Sequence, residues 1–521
     1  MSGAPEAGAA KNPWAIAVVV ALATFMEVLD TTIANVALRY ISGGLAVGPD
    51  EAAWVVTSYL VANAIALTAS SFLAKRYGRK LFFMASVTLF TVASIACGFA
   101  WSLESLLFFR VLQGLGGGGM APLAQSILAD AFPPEKRGQA FALYGVAIVV
   151  APVVGPTLGG WLSDNVSWHW CFLINGPIGV VALLLMGWLL QDSKAAIEER
   201  ERLKKEGVRF DVVGFLLVAT FLGSLEVVLD EGLREDWFDS TLIVVFTTIG
   251  AAAFVLMFPW LLTKKNPAVD LTLLKSRQFA SCFVVMLGTG AILISTTQFV
   301  PQIVQELYGY TATLAGLSLA PGGVVTVCMM VLAGRLSGKV PAKWMIAAGA
   351  AIITFGMYHL TSLYADSTFW FFASSRMWVG AGLPLVFLSI TAASYIGIRP
   401  DQTDQASAQI NMARNVGGSI GVCVAQNVLA HREQFHQTRL IEHVSPANPA
   451  YQEAMRAATQ AFATQGGGDA NGQAMAWVAN QVQSQVAFWA YIDVFFVLGL
   501  MSASMIPLAM ILRSAKAKPA H

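Results

Sequence analysis

Arg110-Val-Leu-Gln-Gly114-Leu-Gly116 continues through a glycine tract to Met120-Ala-Pro122-Leu, and much later Arg376-Met-Trp-Val-Gly380-Ala-Gly382 continues to Leu383-Pro384-Leu. Pro133-Pro-Glu-Lys-Arg-Gly-Gln-Ala140 follows the first stretch and Pro400-Asp-Gln-Thr-Asp-Gln-Ala406 follows the second. Two matches in the same order point to an internal duplication. Both stretches also lie in long apolar runs, each opened by a single arginine. Roughly 20 apolar residues are needed to cross the hydrocarbon core of a bilayer.

Working outward, the sequence contains fourteen such runs: 14–38, 52–73, 81–100, 104–129, 139–163, 170–190, 211–230, 241–262, 278–303, 312–334, 344–363, 369–396, 405–430 and 487–512. Composition agrees, with 56% hydrophobic and 12% charged residues, against about 25% charged in soluble domains. The reading is an all-α polytopic membrane protein with 14 transmembrane helices. The echo falls between spans 4–5 and spans 12–13, so spans 1–6 match spans 9–14. That gives an N-terminal six-helix bundle at 14–190, a linker at 191–210, a two-helix insert at 211–262 and a C-terminal six-helix bundle at 278–512, which carries an exposed loop at 431–486. Paired bundles with the substrate site between them are a common transporter design.

Cytoplasmic loops are enriched in Lys and Arg. With the N-terminus inside, only Arg39, Arg234, Arg432, Arg439 and Arg456 face outward, and Arg110, Arg376 and Arg414 lie within spans; the other 24 of the 32 Lys and Arg fall inside. One missed span would invert every later loop, so the asymmetry supports fourteen spans with both termini cytoplasmic. A cleavable signal peptide is not expected, because a short polar tail leads into a span long enough to cross. Cys97, Cys171, Cys282, Cys328 and Cys423 all fall in apolar spans without paired spacing, which argues against a disulfide framework or a metal site.

Ionisable groups at membrane depth are costly and are functional hypotheses by default. Span 1 holds Glu27 and Asp30, three apart and therefore on one helix face. By helical rise, Asp30 lies roughly 12 Å below the outer end, Glu27 about 16 Å and Arg110 roughly 9 Å. An acid–arginine contact across the bundle is thus allowed. Two readings are open: a proton carrier, since two close acids cannot both ionise cheaply, or a permanent structural ion pair. Arg414, in Asn411-Met-Ala-Arg414-Asn415, faces either a water-filled cavity or a helix carbonyl. Glu226 and Asp230 end span 7 and read as a solvated interface.

Span 5 reads Gly155-Pro156-Thr-Leu-Gly159-Gly160, after Pro152. Small residues four apart allow close helix approach, and proline kinks a helix; the stretch is a packing seam or the same seam used as a gate. The glycines at 114 and 116–119 make a deformable helix and not a phosphate loop, because no Lys-Ser/Thr follows. No nucleotide signature is present, so no cofactor is expected and a proton gradient is the expected power source. The linker 191–210 reads as a solvated charged helix. In 431–486, the stretches from Tyr451 and from Ala474 read as helical and amphipathic, separated at Gly466-Gly-Gly-Asp, and His431, His436 and His443 read as solvated. This loop is either an exposed hairpin against the membrane or a partner, or two helices packed on the bundle.

Leu29-Asp30-Thr31-Thr32-Ile33-Ala34-Asn35-Val36-Ala37-Leu38, Arg110 to Gly119, Gly155 to Gly160 and Trp168-His169-Trp170-Cys171-Phe172-Leu173-Ile174-Asn175-Gly176-Pro177 resemble the span-1, span-4, antiporter and span-6 motifs of the major facilitator superfamily, in its fourteen-helix drug:H⁺ antiporter branch. Ala23-Thr24-Phe25-Met26, Leu73-Ala74-Lys75-Arg76 and Leu307-Tyr308-Gly309-Tyr310-Thr311-Ala312-Thr313 are similar to EmrB-type efflux pumps within that branch. The resemblance implies a non-enzymatic, proton-driven exporter of hydrophobic toxic compounds in a bacterial inner membrane. It further implies a periplasmic membrane-fusion adaptor (EmrA-type) and a TolC-type outer-membrane channel as partners, with loop 431–486 as the adaptor contact. Export of a specific endogenous metabolite or lipid is the alternative. Proton coupling is expected at Asp30, Glu27 and Arg110. The substrate cavity is expected at Phe25, Met26, Gln113, Gln298, Asn411, Arg414 and Asn415, and gating at Gly155, Pro156, Gly159, Gly160, Arg76, Gly78 and Arg79. The chain departs from the family pattern in four places. Ser71 and Lys75 replace the Gly and Asp of the loop after span 2, Arg39 stands where Pro is frequent, His169 stands where Arg is usual, and Glu27 adds a second acid to span 1.

Overall fold

The structure is a computed structural model that describes residues 12–192, 194–207, 209–337, 339–399, 402–464 and 469–512. Lys11, Arg513, Lys516 and Lys518 of the charge asymmetry, Pro400 and Asp401 of the second echo, and the Gly466–Gly468 separator lie outside them. The described residues form helices α1 (Pro13–Leu45), α2 (Pro49–Tyr77), α3 (Arg79–Cys97), α4 (Leu103–Gly117), α5 (Met120–Ala131), α6 (Pro134–Asn165), α7 (Trp170–Leu173), α8 (Asn175–Leu189) and α9 (Lys194–Lys205). They continue with α10 (Val212–Glu231), α11 (Thr241–Thr263), α12 (Arg277–Glu306), α13 (Ala312–Leu336), α14 (Ala342–Thr361), α15 (Phe369–Ser394), α16 (Thr403–Ile441), α17 (Pro449–Thr464) and α18 (Ala470–Met510).

Twelve helices are long and apolar enough to cross a membrane, taking α7 and α8 as one. Two of the predicted spans fall outside that set for distinct reasons. Span 4 is broken at Gly118–Gly119 into α4 and α5, each too short alone. Span 13 lies in α16, whose Gln409, Asn411, Arg414, Asn415, Gln426 and Asn427 dilute its apolar character.

Packing repeats along the chain. Helix α1 packs on α6, α2 on α4, and α3 on both α4 and α8; later, α12 packs on α16, α13 on α15, and α14 on both α15 and α18. Glycine makes the closest of these approaches possible. A Cβ on Gly114 or Gly118 would overlap the Tyr59 and Asn63 carbonyl oxygens of α2, so only a bare backbone lets α2 and α4 meet. Helix α6 packs against α13 across the two halves, and α10 lies against α2, α11 and α16.

The region 431–486 is helical at both stretches expected to be so, and at its two ends the helices continue the neighbouring spans. Helix α16 runs on to Ile441, and α18 begins at Ala470 and passes without interruption into its apolar part. Helix α17 lies on α18. His436 is half-buried, contacting Asp493 Oδ2 at 2.8 Å beside Arg432 at 2.5 Å; this tie between α16 and α18 corrects the solvated reading. The linker helix α9 is also not free, since it rests on α2.

Candidate functional site

Asp30 and Arg110 meet inside the N-terminal half. Arg110 Nη1 donates to Asp30 Oδ2 at 2.6 Å, and both side chains are 0% exposed. Arg110 Nε also donates to the Val55 carbonyl at 2.9 Å, and Nη1 to Gln113 Oε1 at 2.9 Å. The guanidinium lies over the Tyr59 ring at 4.3 Å and near Phe172 at 5.6 Å, a cation–π environment that compensates for lost hydration. Asp30 Oδ1 accepts from Gln113 Nε2 and from Asn175 Nδ2, each at 2.8 Å. Asn175 opens α8 and also donates to Ser94 Oγ. One carboxylate thus joins α1, α4 and α8.

Glu27, one helical turn away, is placed differently. It is 6% exposed and borders the principal cavity. Its Oε1 accepts one long bond from Asn63 Nδ2 at 3.4 Å, and Oε2 has no hydrogen-bond partner.

The cavity encloses about 520 Å³ and is walled by α1, α2, α6, α10, α12 and α16. At one end it reaches the exposed Arg39, Arg234 and Glu306, so it is open there. Glu27, Asn63, Leu67 and Ile148 line its blind end. Among the residues expected to line it, Gln298, Arg414 and Asn415 do. Arg414 is 7% exposed and its Nη1 has no hydrogen-bond partner, which favours the cavity-facing alternative.

Four expected lining residues lie elsewhere. Met26 is in the apolar core and Phe25 packs among the cluster around Trp168. Gln113 is occupied with Asp30 and Arg110. Asn411 donates to Gln125 Oε1 at 3.0 Å. The physical reason is helix phase: Glu27 faces the cavity, and a neighbour one step along, such as Met26, is turned about 100° away.

The sequence reading missed Asn63, Tyr59 and Glu226. Glu226 is 6% exposed, borders the cavity and accepts from Ser419 Oγ of α16 at 2.7 Å, so the solvated interface expected there is corrected. Asp230 also borders the cavity and accepts from Thr57 Oγ1 of α2. The available signal was the general one, an ionisable group in an apolar run.

The opposite end is tied shut between the halves. Arg79 donates in a fork to Asp404, Nε to Oδ1 at 2.9 Å and Nη2 to Oδ2 at 3.1 Å, and pairs with Asp130 as well. Beneath it Ser407 Oγ donates to the Pro122 carbonyl at 2.7 Å. Gly78, with φ +97°, provides the left-handed corner between α2 and α3 that brings Arg79 to this position. Arg76 ends α2 beside it. Gly155 and Gly159 of α6 pack against α1, where a Cβ on Gly155 would overlap Thr32. Pro156 borders the cavity; Gly160, on the same helix, is buried and does not. The geometry therefore offers a deep cavity between the halves, open at one end, with acids and Arg414 in its inner wall and Arg39 and Arg234 at its mouth.

Known proteins agree with this architecture. The chain is 37% identical over 499 residues to the multidrug export protein EmrB of Escherichia coli (strain K12), covering 92% of this chain and 93% of that protein. It is 36% identical over 467 residues to the fatty acid resistance protein FarB of Neisseria gonorrhoeae, covering 89% of each. The solved structure of the proton:xylose symporter XylE superposes with a TM-score of 0.59 at 14% identity, covering 97% of each chain, a likeness of fold. The family model of the Major Facilitator Superfamily matches residues 20–422. The chain is a multi-pass membrane protein of the Major Facilitator Superfamily, of the EmrB type.

Proposed function

We propose that this chain is a proton-driven exporter of hydrophobic toxic compounds. The observation that carries the reading is the position of Glu27 at the blind end of an open cavity, one turn from the buried Asp30–Arg110 pair. A cavity between two halves suits alternating access, and an acid at its floor couples access to proton binding. The similarity to a multidrug export protein supplies the direction of transport and the breadth of substrates. Function lies in moving substrate, with no chemical conversion and no cofactor beyond the proton gradient.

In the same reading the molecule has fourteen spans. The α4–α5 pair supplies span 4 and α16 supplies span 13, in addition to the twelve apolar helices. In this reading they divide into six, two and six, with α10 and α11 as the insert, and the recurrence of the same packing order along the chain supports the division. The N-terminus is cytoplasmic, the Arg79–Asp404 end faces the cytoplasm of the inner membrane, and the open end faces the periplasm. Helix α17 and the extensions of α16 and α18 then project into the periplasm as the contact for an EmrA-type adaptor, which joins the pump to a TolC-type outer-membrane channel. Export of an endogenous amphiphile is the second reading, and the similarity to a fatty acid resistance protein favours it.

The test is transport in proteoliposomes under an imposed pH gradient, with a panel of hydrophobic weak acids, cationic dyes and fatty acids. Gradient-dependent movement of several unrelated lipophiles supports multidrug export. Movement of one fatty acid alone favours the second reading, and movement of none removes both.

A further inference from the structure

We infer that Glu27, and not Asp30, is the carboxyl that takes up and releases the transported proton, and that Asp30 is a positioning residue. The inference rests on the proton-driven reading above and names the group within it. Asp30 accepts three hydrogen bonds, and the Arg110, Gln113 and Asn175 atoms that face it are all donors. A proton placed on Asp30 would meet a donor at each oxygen and leave the Arg110 cation without its counter-charge, a loss that is costly inside protein. The Asp30 side chain is also sealed from the cavity, whose wall does not include it.

Glu27 has the opposite character. Among the described residues the one side-chain hydrogen bond it accepts is a long one, Oε2 is unpartnered, and the side chain borders the cavity. A buried polar atom without a partner is rare and calls for a reason; a carboxyl that must alternate between O⁻ and O–H supplies one. In the transfer, a hydronium ion in the cavity breaks one O–H bond as Oε2 forms its own and is left as neutral water; the reverse step returns the proton to a water molecule, which leaves as hydronium. The groups that face it are Arg414 from α16, the Tyr59 phenol and Asn63 amide from α2, the Tyr144 phenol from α6, the Ala121 backbone from α5 and Asp30 on its own helix. Only Arg414 among these belongs to the C-terminal half and carries a positive charge. Ionised Glu27 and Arg414 attract each other across the wall between the halves, and protonation ends that attraction. The arrival of the proton therefore changes the force between the halves, as coupling requires. A cationic substrate group would compete with the proton for the same oxygen, which is the sign that antiport needs.

The experiment is an infrared pH titration of the full-length protein in lipid, following the protonated-carboxyl band. The band that titrates in the unaltered protein is expected to vanish in Glu27→Gln, to return in Glu27→Asp and to persist in Asp30→Asn. Asp30→Glu serves in place of Asp30→Asn if the latter does not fold. Survival of the band in Glu27→Gln overturns the assignment. The measurement needs no substrate, so a protein that titrates at Glu27 yet moves no lipophile under a pH gradient would refute the proposed export while leaving this assignment intact.

Discussion

Arg376 Nη1 donates to Thr296 Oγ1 at 2.8 Å, and the two residues are 80 positions apart, the same separation at which Arg110 donates to Asp30. The two matching stretches therefore share the arginine, and only the first has an acid in front of it. Arg376 is buried, its Nε has no hydrogen-bond partner, and no ion pair reaches it among the described residues.

This asymmetry gives opposite expectations for two matched substitutions. Asp30→Thr leaves Arg110 buried and uncompensated and is expected to cost about 3–5 kcal/mol. Thr296→Asp gives Arg376 a counter-charge and is expected to be neutral or stabilising. Thermal unfolding in detergent measures both, and a Thr296→Asp protein that melts as early as Asp30→Thr would refute the account.

At the closed end, the Arg79–Asp404 fork joins α3 to α16 and so holds one half against the other. Hydrogen bonds to charged groups contribute about 1.5–3 kcal/mol, so Asp404→Asn should raise the population opened at this end by roughly tenfold or more. Ser407 lies just beneath and is fully buried. In a Ser407→Cys background, Asp404→Asn is expected to speed alkylation of that thiol correspondingly, and an unchanged rate would exclude the fork as a closure element.

The all-helical, multi-pass character was legible because a bilayer imposes one coarse, long-range signal, apolar length. The run 104–129 was read as one helix and its break at Gly118–Gly119 was not legible, since the overlap of Gly118 with the Asn63 carbonyl depends on where α2 lies. Matching depths allowed the Asp30–Arg110 contact without requiring it, and the arrangement of α1, α4 and α8 makes it. The cavity did not, because lining depends on helix rotation: Gln298 and Asn415 face it, whereas Met26 and Asn411, equally plausible by composition, face other helices. Glu226 was misread because proximity to a helix end suggests water, and only the packing of α10 on α16 shows Ser419 in front of it.

The seam between α1 and α6 gives a steric expectation. A methyl on Gly155 would overlap Thr32, and one on Gly159 would approach the Ile33 Cα at 3.3 Å. Overpacking costs typically 1–3 kcal/mol. Gly155→Ala should therefore lower the thermal midpoint more than Gly159→Ala. The double variant Gly155→Ala/Thr32→Ala removes the obstructing hydroxyl but keeps the Thr32 Cβ at 2.7 Å, so it should recover part of the loss. Absence of that recovery would mean the glycine is needed for helix bending and not for close approach.

Helix α10 gives the last expectation. It contributes Glu226 and Asp230 to the cavity wall, and each is held by a hydroxyl from another helix, Ser419 and Thr57. Asp230 stands nearer the exposed Arg234 at the open end, while Glu226 lies one turn deeper, where an apolar substrate would contact it. An ionised carboxylate there attracts a lipophilic cation and does nothing for a neutral compound of the same size. Glu226→Gln keeps the bond from Ser419 through its amide oxygen and so preserves the wall while removing the charge. Transport of a cationic dye is expected to lose roughly tenfold in apparent affinity, which corresponds to about 1.4 kcal/mol, with a neutral lipophile of similar volume changed by less than about twofold. Equal losses for both substrates would show that Glu226 acts through packing; no loss for either would show that the cavity is entered without contact with the insert.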